Sequence, residues 1–330
     1  MKERSLLERY KRGVFVGVGA GALFYLIYSL SAELPKVLEA LETFRWILLV
    51  PILLLSFANY FVRFLRWEYY LRRLDIRVHW KESFTIFMAG LSMTITPGKA
   101  GELLKSLLLR ECAGTPLTRS ASVIVAERLT DFLALIFLTA LGIGTWYSRH
   151  RSAVLVVGLA LVSIVLVLNS EKLSLGMIRS MEKLPVIGRF AHHLEEPYRS
   201  TAALLHVGPL AVGLFLSTVA WFAECLGYYV VINGHGVEAS VFVSTFLYAF
   251  STIAGVVSPG GLGVTDLSLG EGARRLIPGI TPSLSVSAAF VIRLCTLWFA
   301  VLVGSIALMR FKGKVEPATV EMAAEGIDDG

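Results

Sequence analysis

The stretch SASVIVAERLTDFLALIFLTALGIG carries three ionisable side chains, Glu127, Arg128 and Asp131, in an otherwise apolar run. On a helix Glu127 and Asp131 share one face at i,i+4, and Arg128 reaches Asp131 at i,i+3. An ionisable side chain at membrane depth costs at least about 2.5 kcal/mol, so these groups must face protein or a polar cavity. Two uses are open: an internal ion pair that locks helices together, or a site for a charged ligand. Arg293, in SVSAAFVIRLCTLWFAVLV, has no acidic neighbour on its own helix. It must take a partner from Glu102, Asp266, Glu224 or Glu271, or else an anionic ligand. Because a guanidinium fork binds phosphate oxygens in pairs, Arg128 and Arg293 suit a phosphate group. Lys99 either adds to that site or snorkels to the interface. Glu102 and Asp266 either receive a cationic head group or hold the arginines while the cavity is empty. Glu224, a lone acid in STVAWFAECLGYY, is a candidate proton relay, with a hydrogen bond to a neighbouring hairpin as the alternative.

Two interrupted segments are suited to holding these groups at depth. In SMTITPGKAGELLKSLLLRE the apolar run stops at Pro97, Gly98 and Gly101, and only Leu103 to Leu109 follow. Seven helical residues rise about 10 Å, against a hydrocarbon layer of about 30 Å, so this leg does not cross alone. Proline removes a backbone donor and glycine relaxes the dihedral limits, so the break exposes peptide groups that need protein or water. STIAGVVSPGGLGVTDLSLGEG repeats the design with Pro259, Gly260 and Gly263, and the helix of Arg128 lines up with that of Arg293. The pattern is that of a duplication.

These elements lie in a chain of 330 residues, 55% hydrophobic and 17% charged, with a mean hydropathy of +0.68, which excludes an ordinary soluble domain. The expected fold is an all-α polytopic membrane protein with about six full transmembrane helices and two re-entrant helical hairpins arranged as an inverted repeat. The repeat halves are 46–168 and 207–309, with 1–32 an additional N-terminal helix, 169–206 a cytoplasmic linker and 311–330 a polar tail. Of the Lys and Arg residues, 21 fall on segments placed inside and six outside, which puts both termini in the cytoplasm. Arg63 and Arg66 are counted inside, after a second helix near Trp46 to Val62. A rival with eight full spans needs very short crossings. Trp46, Tyr60, Trp67, Tyr69, Tyr70, Trp80, Tyr228 and Tyr229 read as interface anchors. The net charge of +6 follows this topology, not nucleic acid. Cys112, Cys225 and Cys295 lie far apart, and neither a disulfide framework nor a metal site is expected. No P-loop, nucleophile elbow or dinucleotide fingerprint occurs, so no cofactor and no catalytic residue is assigned.

The segments PGKAGELLK, SPGGLGVTD and AERLTDF, in that order, resemble the transmembrane, flippase-like domain of lysylphosphatidylglycerol synthases over roughly residues 10 to 312. The resemblance implies a stand-alone member in the cell membrane that moves a phospholipid or polyprenyl-phosphate-type lipid between leaflets. It points to Pro97, Gly98, Gly101, Glu102, Glu127, Arg128 and Asp131 in the first half, and to Pro259, Gly260, Gly263, Asp266 and Arg293 in the second. The short polar tail, ending VEPATVEMAAEGIDDG, leaves no room for a soluble aminoacyl-transferase domain, so lysine transfer from tRNA is not expected. Two other function classes stay open: a membrane enzyme acting on a polyprenyl-phosphate or phospholipid, and a non-transporting envelope partner protein.

Overall fold

The computed structural model describes residues 34–95, 100–146 and 195–311, without the side chains at 34, 100–103, 143–146 and 195–199. The expected helices over Gly13 to Ala32 and Ala153 to Leu168, the break residues Pro97, Gly98 and Lys99, and the polar tail lie outside the described residues. All the regular elements described are helical. A short helix α1 (Leu34–Glu42) precedes a 3₁₀ turn and the long α2 (Leu49–Arg73). There follow α3 (Trp80–Leu91), α4 (Ala100–Ala113), α5 (Leu117–Trp146), α6 (Glu195–Leu205) and α7 (Val207–Gly234). The chain ends in α8 (Val241–Ala254), α9 (Val264–Leu276), and α10 (Pro282–Arg293) joined through a π turn to α11 (Phe299–Arg310).

The order long helix, interrupted pair, long helix therefore occurs twice. Local chemistry starts the elements of the second half: Ser240 Oγ accepts the amide of Phe242 at 3.2 Å, and Thr281 Oγ1 that of Leu284 at 3.2 Å, just ahead of Pro282. Trp46–Arg73, Val207–Gly234 and Pro282–Arg310 are each long and apolar enough to cross a membrane. With 30 residues, α5 rises about 45 Å and is as long, although its middle is charged. Leu54, Phe215 and Val257, at 64%, 67% and 84% exposure, leave a greasy outer surface, as expected of a protein whose solvent is lipid.

The two long helices α2 and α7 pack antiparallel. Tyr70 lies over Gly213, Asn59 Nδ2 donates to the Ala220 carbonyl at 2.9 Å, and Phe44 lies over Gly234. Asn59 and Ala220 are 161 residues apart, the same offset that separates Trp46 from Val207 and Trp80 from Val241, so the pair crosses at equivalent points. Partners are exchanged around this crossing: α3 packs on α11 and α8 on α5. Two large apolar cores result, one around Phe64, Trp67, Phe87 and Leu108, the other around Ile52, Tyr228, Leu247 and Ile292, with a small third at Ile95, Leu297 and Val301.

Four expectations change. The helix α4 has 14 residues, not seven, because Ala100, Gly101 and Glu102 begin it and Arg110, Glu111, Cys112 and Ala113 continue it past the apolar run; its rise of about 21 Å still falls short of a bilayer core. Helix α2 does not end near Val62 but runs to Arg73, and the arginines that seemed to end it turn inward. Residues 195–205, expected in a linker, form α6, which packs on α5 and buries Leu204. Tyr60, Trp67, Tyr70 and Tyr228 are at most 2% exposed and belong to the cores, whereas Trp46 and Trp80, both at 46%, lie at the surface.

The α3 to α11 contact depends on one missing side chain. A Cβ at Gly304 would lie 2.1 Å from the Ser92 backbone nitrogen and 2.7 Å from the Leu91 carbonyl carbon, atoms that cannot rotate away. Alanine improves helix propensity by about 1 kcal/mol, whereas overpacking against backbone costs about 1–3 kcal/mol. Gly304→Ala is therefore expected to destabilise, and Gly304→Leu more so, read as a fall in the thermal unfolding midpoint in detergent.

Candidate functional site

Between the two cores, α2, α5 and α7 bring together a band of charged groups. Arg66 is fully buried, although the sequence reading placed it on an inner surface. Its Nη1 lies 2.5 Å from Asp131 Oδ1 and 3.2 Å from Thr130 Oγ1, and also donates to Ser217 Oγ. Its Nη2 is 3.5 Å from Glu127 Oε1. Lys105 of α4 places Nζ 2.5 Å from Glu127 Oε2 and 4.6 Å from the centre of the Trp67 ring. Glu127 and Asp131 share a helical face, as their spacing requires, and between them they take Arg66.

Asp131 is the hub. Besides Arg66 it takes Arg128 Nη2 at 3.0 Å and Arg63 Nη2 at 3.8 Å, and it accepts a hydrogen bond from Trp221 Nε1 at 3.0 Å. The Arg63 guanidinium also covers the Trp221 ring at 5.6 Å, a cation–π arrangement that holds the fork flat. Three guanidiniums thus converge on one carboxylate.

These groups form one wall of a cavity of about 550 Å³, whose lining includes Arg63, Lys105, Arg128, Asp131, Glu224 and Arg293. The volume is within the range of about 300–1,000 Å³ common for small-molecule sites. The interruption between α8 and α9 also lines the cavity, through Gly255, Ser258, Gly260 and Gly261. There Gly260, Gly261 and Gly263 have φ of 60°, 72° and 82°, a region where a side chain is strained. Arg293 Nε lies 3.1 Å from Asp266 Oδ1, and Nη2 donates to the Gly260 carbonyl. Asp266 Oδ2 accepts the Gly263 amide at 2.9 Å. Arg293 and Asp266 therefore pin the glycine turn from both ends.

The π turn Leu294–Trp298 follows Arg293 directly. Such a turn shifts the carbonyl ladder by a residue and often marks a functional site; here the Thr296 carbonyl accepts Tyr60 Oη at 2.5 Å. Glu224 is 6% exposed and accepts Tyr248 Oη at 2.7 Å, so its contact is indeed with a leg of the second interrupted pair.

Of the residues singled out in the sequence, Arg128, Asp131, Glu224, Arg293 and Gly260 meet at the cavity. Glu127 and Asp266, both fully buried, stand behind its wall and hold cations. Pro259 and Gly263 belong to the glycine turn. Gly101 and Glu102 lie in the first turn of α4; their side chains, and Pro97, Gly98 and Lys99 entirely, lie outside the described ones. Glu271 pairs with Arg274 at 2.9 Å and Arg275 at 2.8 Å on the surface, not with Arg293. The sequence reading missed Arg63, Arg66, Lys105, Trp221, Tyr60 and Tyr248 as members of the site. One signal was present: Arg63 and Arg66 sit at i,i+3 in YFVRFLRW, with apolar neighbours on both sides.

Comparison with known proteins finds relatives among membrane proteins. A UPF0104 membrane protein of Methanothermobacter thermautotrophicus is 23% identical, with 93% of this chain and 97% of the relative aligned. A second from the same organism is 24% identical over 94% and 96%, and one from Pyrococcus horikoshii is 22% identical over 91% and 97%. The family model described as the lysylphosphatidylglycerol synthase TM region matches residues 13–304. This span takes in both interrupted pairs, the charged hub on Asp131 and the Arg293 turn, and the chain is a membrane protein that belongs to the lysylphosphatidylglycerol synthase TM region family.

Proposed function

We propose that this protein moves a lipid with a phosphate-bearing head group between leaflets of the cell membrane, with no chemistry on the lipid. One observation carries the reading: three guanidiniums converge on Asp131, and two of them, Arg63 and Arg128, stand at the cavity wall. Such a wall attracts an anion, and the flat forks match phosphate oxygens. Spontaneous flipping is slow because the head group must shed its water. Fixed donors in a polar cavity replace that water while the tails stay in lipid.

The fold supplies a way to open the cavity to either side. The legs α3, α4 and α9 have 12, 14 and 13 residues, and α8 with the 3₁₀ turn that continues it spans Val241–Val257, or about 25 Å, lengths that favour two re-entrant hairpins over four crossings. Since α2 and α7 are antiparallel and cross at equivalent points, a half-turn about an axis across them relates the two halves, which is the relation of an inverted repeat. With about six full spans, both termini face the cytoplasm. A phospholipid and a polyprenyl phosphate share the recognised group.

The test uses the full chain in proteoliposomes and fluorescently labelled phosphatidylglycerol, with a membrane-impermeant quencher reading the outer leaflet. The protein is expected to render the inner-leaflet pool accessible, and an added polyprenyl phosphate to slow it if that lipid shares the site. Labelled glucosylceramide, which lacks phosphate, is expected to stay at the protein-free rate. Equal rates with and without protein for the phosphate-bearing probe overturn the proposal.

A further inference from the structure

Among the described residues, each buried acid around the cavity has a basic partner within 4 Å except one. Glu127 has Lys105 at 2.5 Å, Asp131 has Arg66 at 2.5 Å, and Asp266 has Arg293 at 3.1 Å. Glu224, 6% exposed and lining the cavity, has only the Tyr248 hydroxyl at 2.7 Å among the described residues. Arg63 and Arg293 face it from α2 and α10, but each already serves a carboxylate: Arg63 that of Asp131, Arg293 that of Asp266. The other charged or titratable groups near it are Asp131 from α5, Tyr60 from α2, Tyr248 from α8 and the neighbouring Cys225 of α7. A carboxylate removed from water with one neutral donor is costly, whereas the same group carrying a cation is not.

We infer that Glu224 is an exchangeable cation site, taking one proton or one small monovalent cation from the cavity and so coupling head-group movement to an ion gradient. The inference rests on the transport reading for its coupling, but not for the site itself. The position suits the role. Glu224 stands on α7, at the central crossing, and its hydrogen bond reaches α8, the first leg of the second interrupted pair. An ionised Glu224 accepts from the Tyr248 hydroxyl; a carboxyl that has taken a proton can donate instead. Loading the site therefore changes the contact between the helix at the centre and the segment that borders the cavity. The cation enters from the water on one side when the cavity opens there, and leaves on the other.

Two measurements separate this inference from the transport reading. The first is infrared difference spectroscopy of the purified full chain against Glu224→Gln, titrated with acid in sodium-free buffer and then with sodium at fixed pH. A protonated-carboxyl band that grows with acid and is absent from Glu224→Gln identifies a proton as the ligand. A carboxylate band that shifts on adding sodium identifies the metal cation. A fixed carboxylate signal, indifferent to both, overturns the inference. Tyr248→Phe, which removes only the hydrogen bond, is expected to displace the titration, and serves in place of Glu224→Gln should that variant fail to fold.

The second is the steady-state leaflet distribution of labelled phosphatidylglycerol under an imposed gradient. One cation moved per lipid gives about a tenfold asymmetry for each tenfold gradient of that cation. The ratio is expected to fall to unity in Glu224→Gln, and the gradient that works, of protons or of sodium, names the source. Probe movement in the native protein with a ratio of unity under both gradients overturns coupling. No movement at all overturns the transport reading, while the infrared titration still decides the site.

Discussion

Arg66→Met is expected to lower stability by about 3 kcal/mol, the lower end of the cost of removing one member of a buried ion pair, because each carboxylate it served keeps another cation. Two carboxylates are affected at once. Asp131 loses its contact at 2.5 Å and Glu127 one at 3.5 Å, in a place where Arg66 itself has no exposure. The loss is not shared equally. Glu127 retains Lys105 at 2.5 Å and Asp131 retains Arg128 at 3.0 Å, so the network is weakened but not abolished. Lysine at this position rescues little, because a single ammonium cannot span Asp131, Glu127 and Ser217 as a fork does. The double variant with Asp131→Asn is expected to cost less than the sum of the single ones, since the second change removes the charge that the first exposed. Thermal unfolding in detergent followed by tryptophan fluorescence reads all three. If Arg66→Met unfolds at the native midpoint, the guanidinium is not the tie between α2, α5 and α7 that its contacts describe.

Arg66 also marks the limit of what could be read from the chain. The interrupted pairs were legible because Pro259 with its glycines, and the short apolar runs after them, are local features. The long helices were legible from their apolar length. What local pattern could not convey is direction. Arg63 and Arg66 end an apolar run as surface charges do, and only the antiparallel approach of α7, with Ser217 and Trp221 opposite, shows that they point inward. The same holds for Tyr60, Trp67 and Tyr70, whose composition suits an interface but which pack against Phe299, Phe87 and Gly213. Partner choice is a second limit. Asp266 was one of four candidates for Arg293, and it is selected by the turn at Gly260 to Gly263, which brings the first residues of α9 back under α10. Glu127 and Asp131 look alike in sequence, yet one holds a buried lysine and the other faces the cavity.

The difference between those two acids defines the variants that test head-group recognition without unfolding the protein. Arg63 and Arg128 are 14% and 29% exposed, stand at the cavity, and share Asp131 with Arg66, which stays in place when either is changed. Asp131 therefore keeps a cation when either is changed, and Arg63→Gln or Arg128→Gln is expected to keep the native unfolding midpoint closely. Transport is another matter. A hydrogen bond to a charged group contributes about 1.5–3 kcal/mol, and a change of that size alters a rate or an affinity by about 10- to 100-fold. Each single variant should slow the labelled phosphatidylglycerol by that factor, and the double variant should approach the protein-free rate. Glutamine keeps a donor but loses the fork and the charge. Lysine keeps the charge, so a larger activity in Arg128→Lys than in Arg128→Gln assigns the effect to charge, and equal losses assign it to paired hydrogen bonds. Folded double variants that move the probe as fast as the native protein would remove phosphate recognition from this wall and leave Asp131, with its three arginines, as a tie between helices.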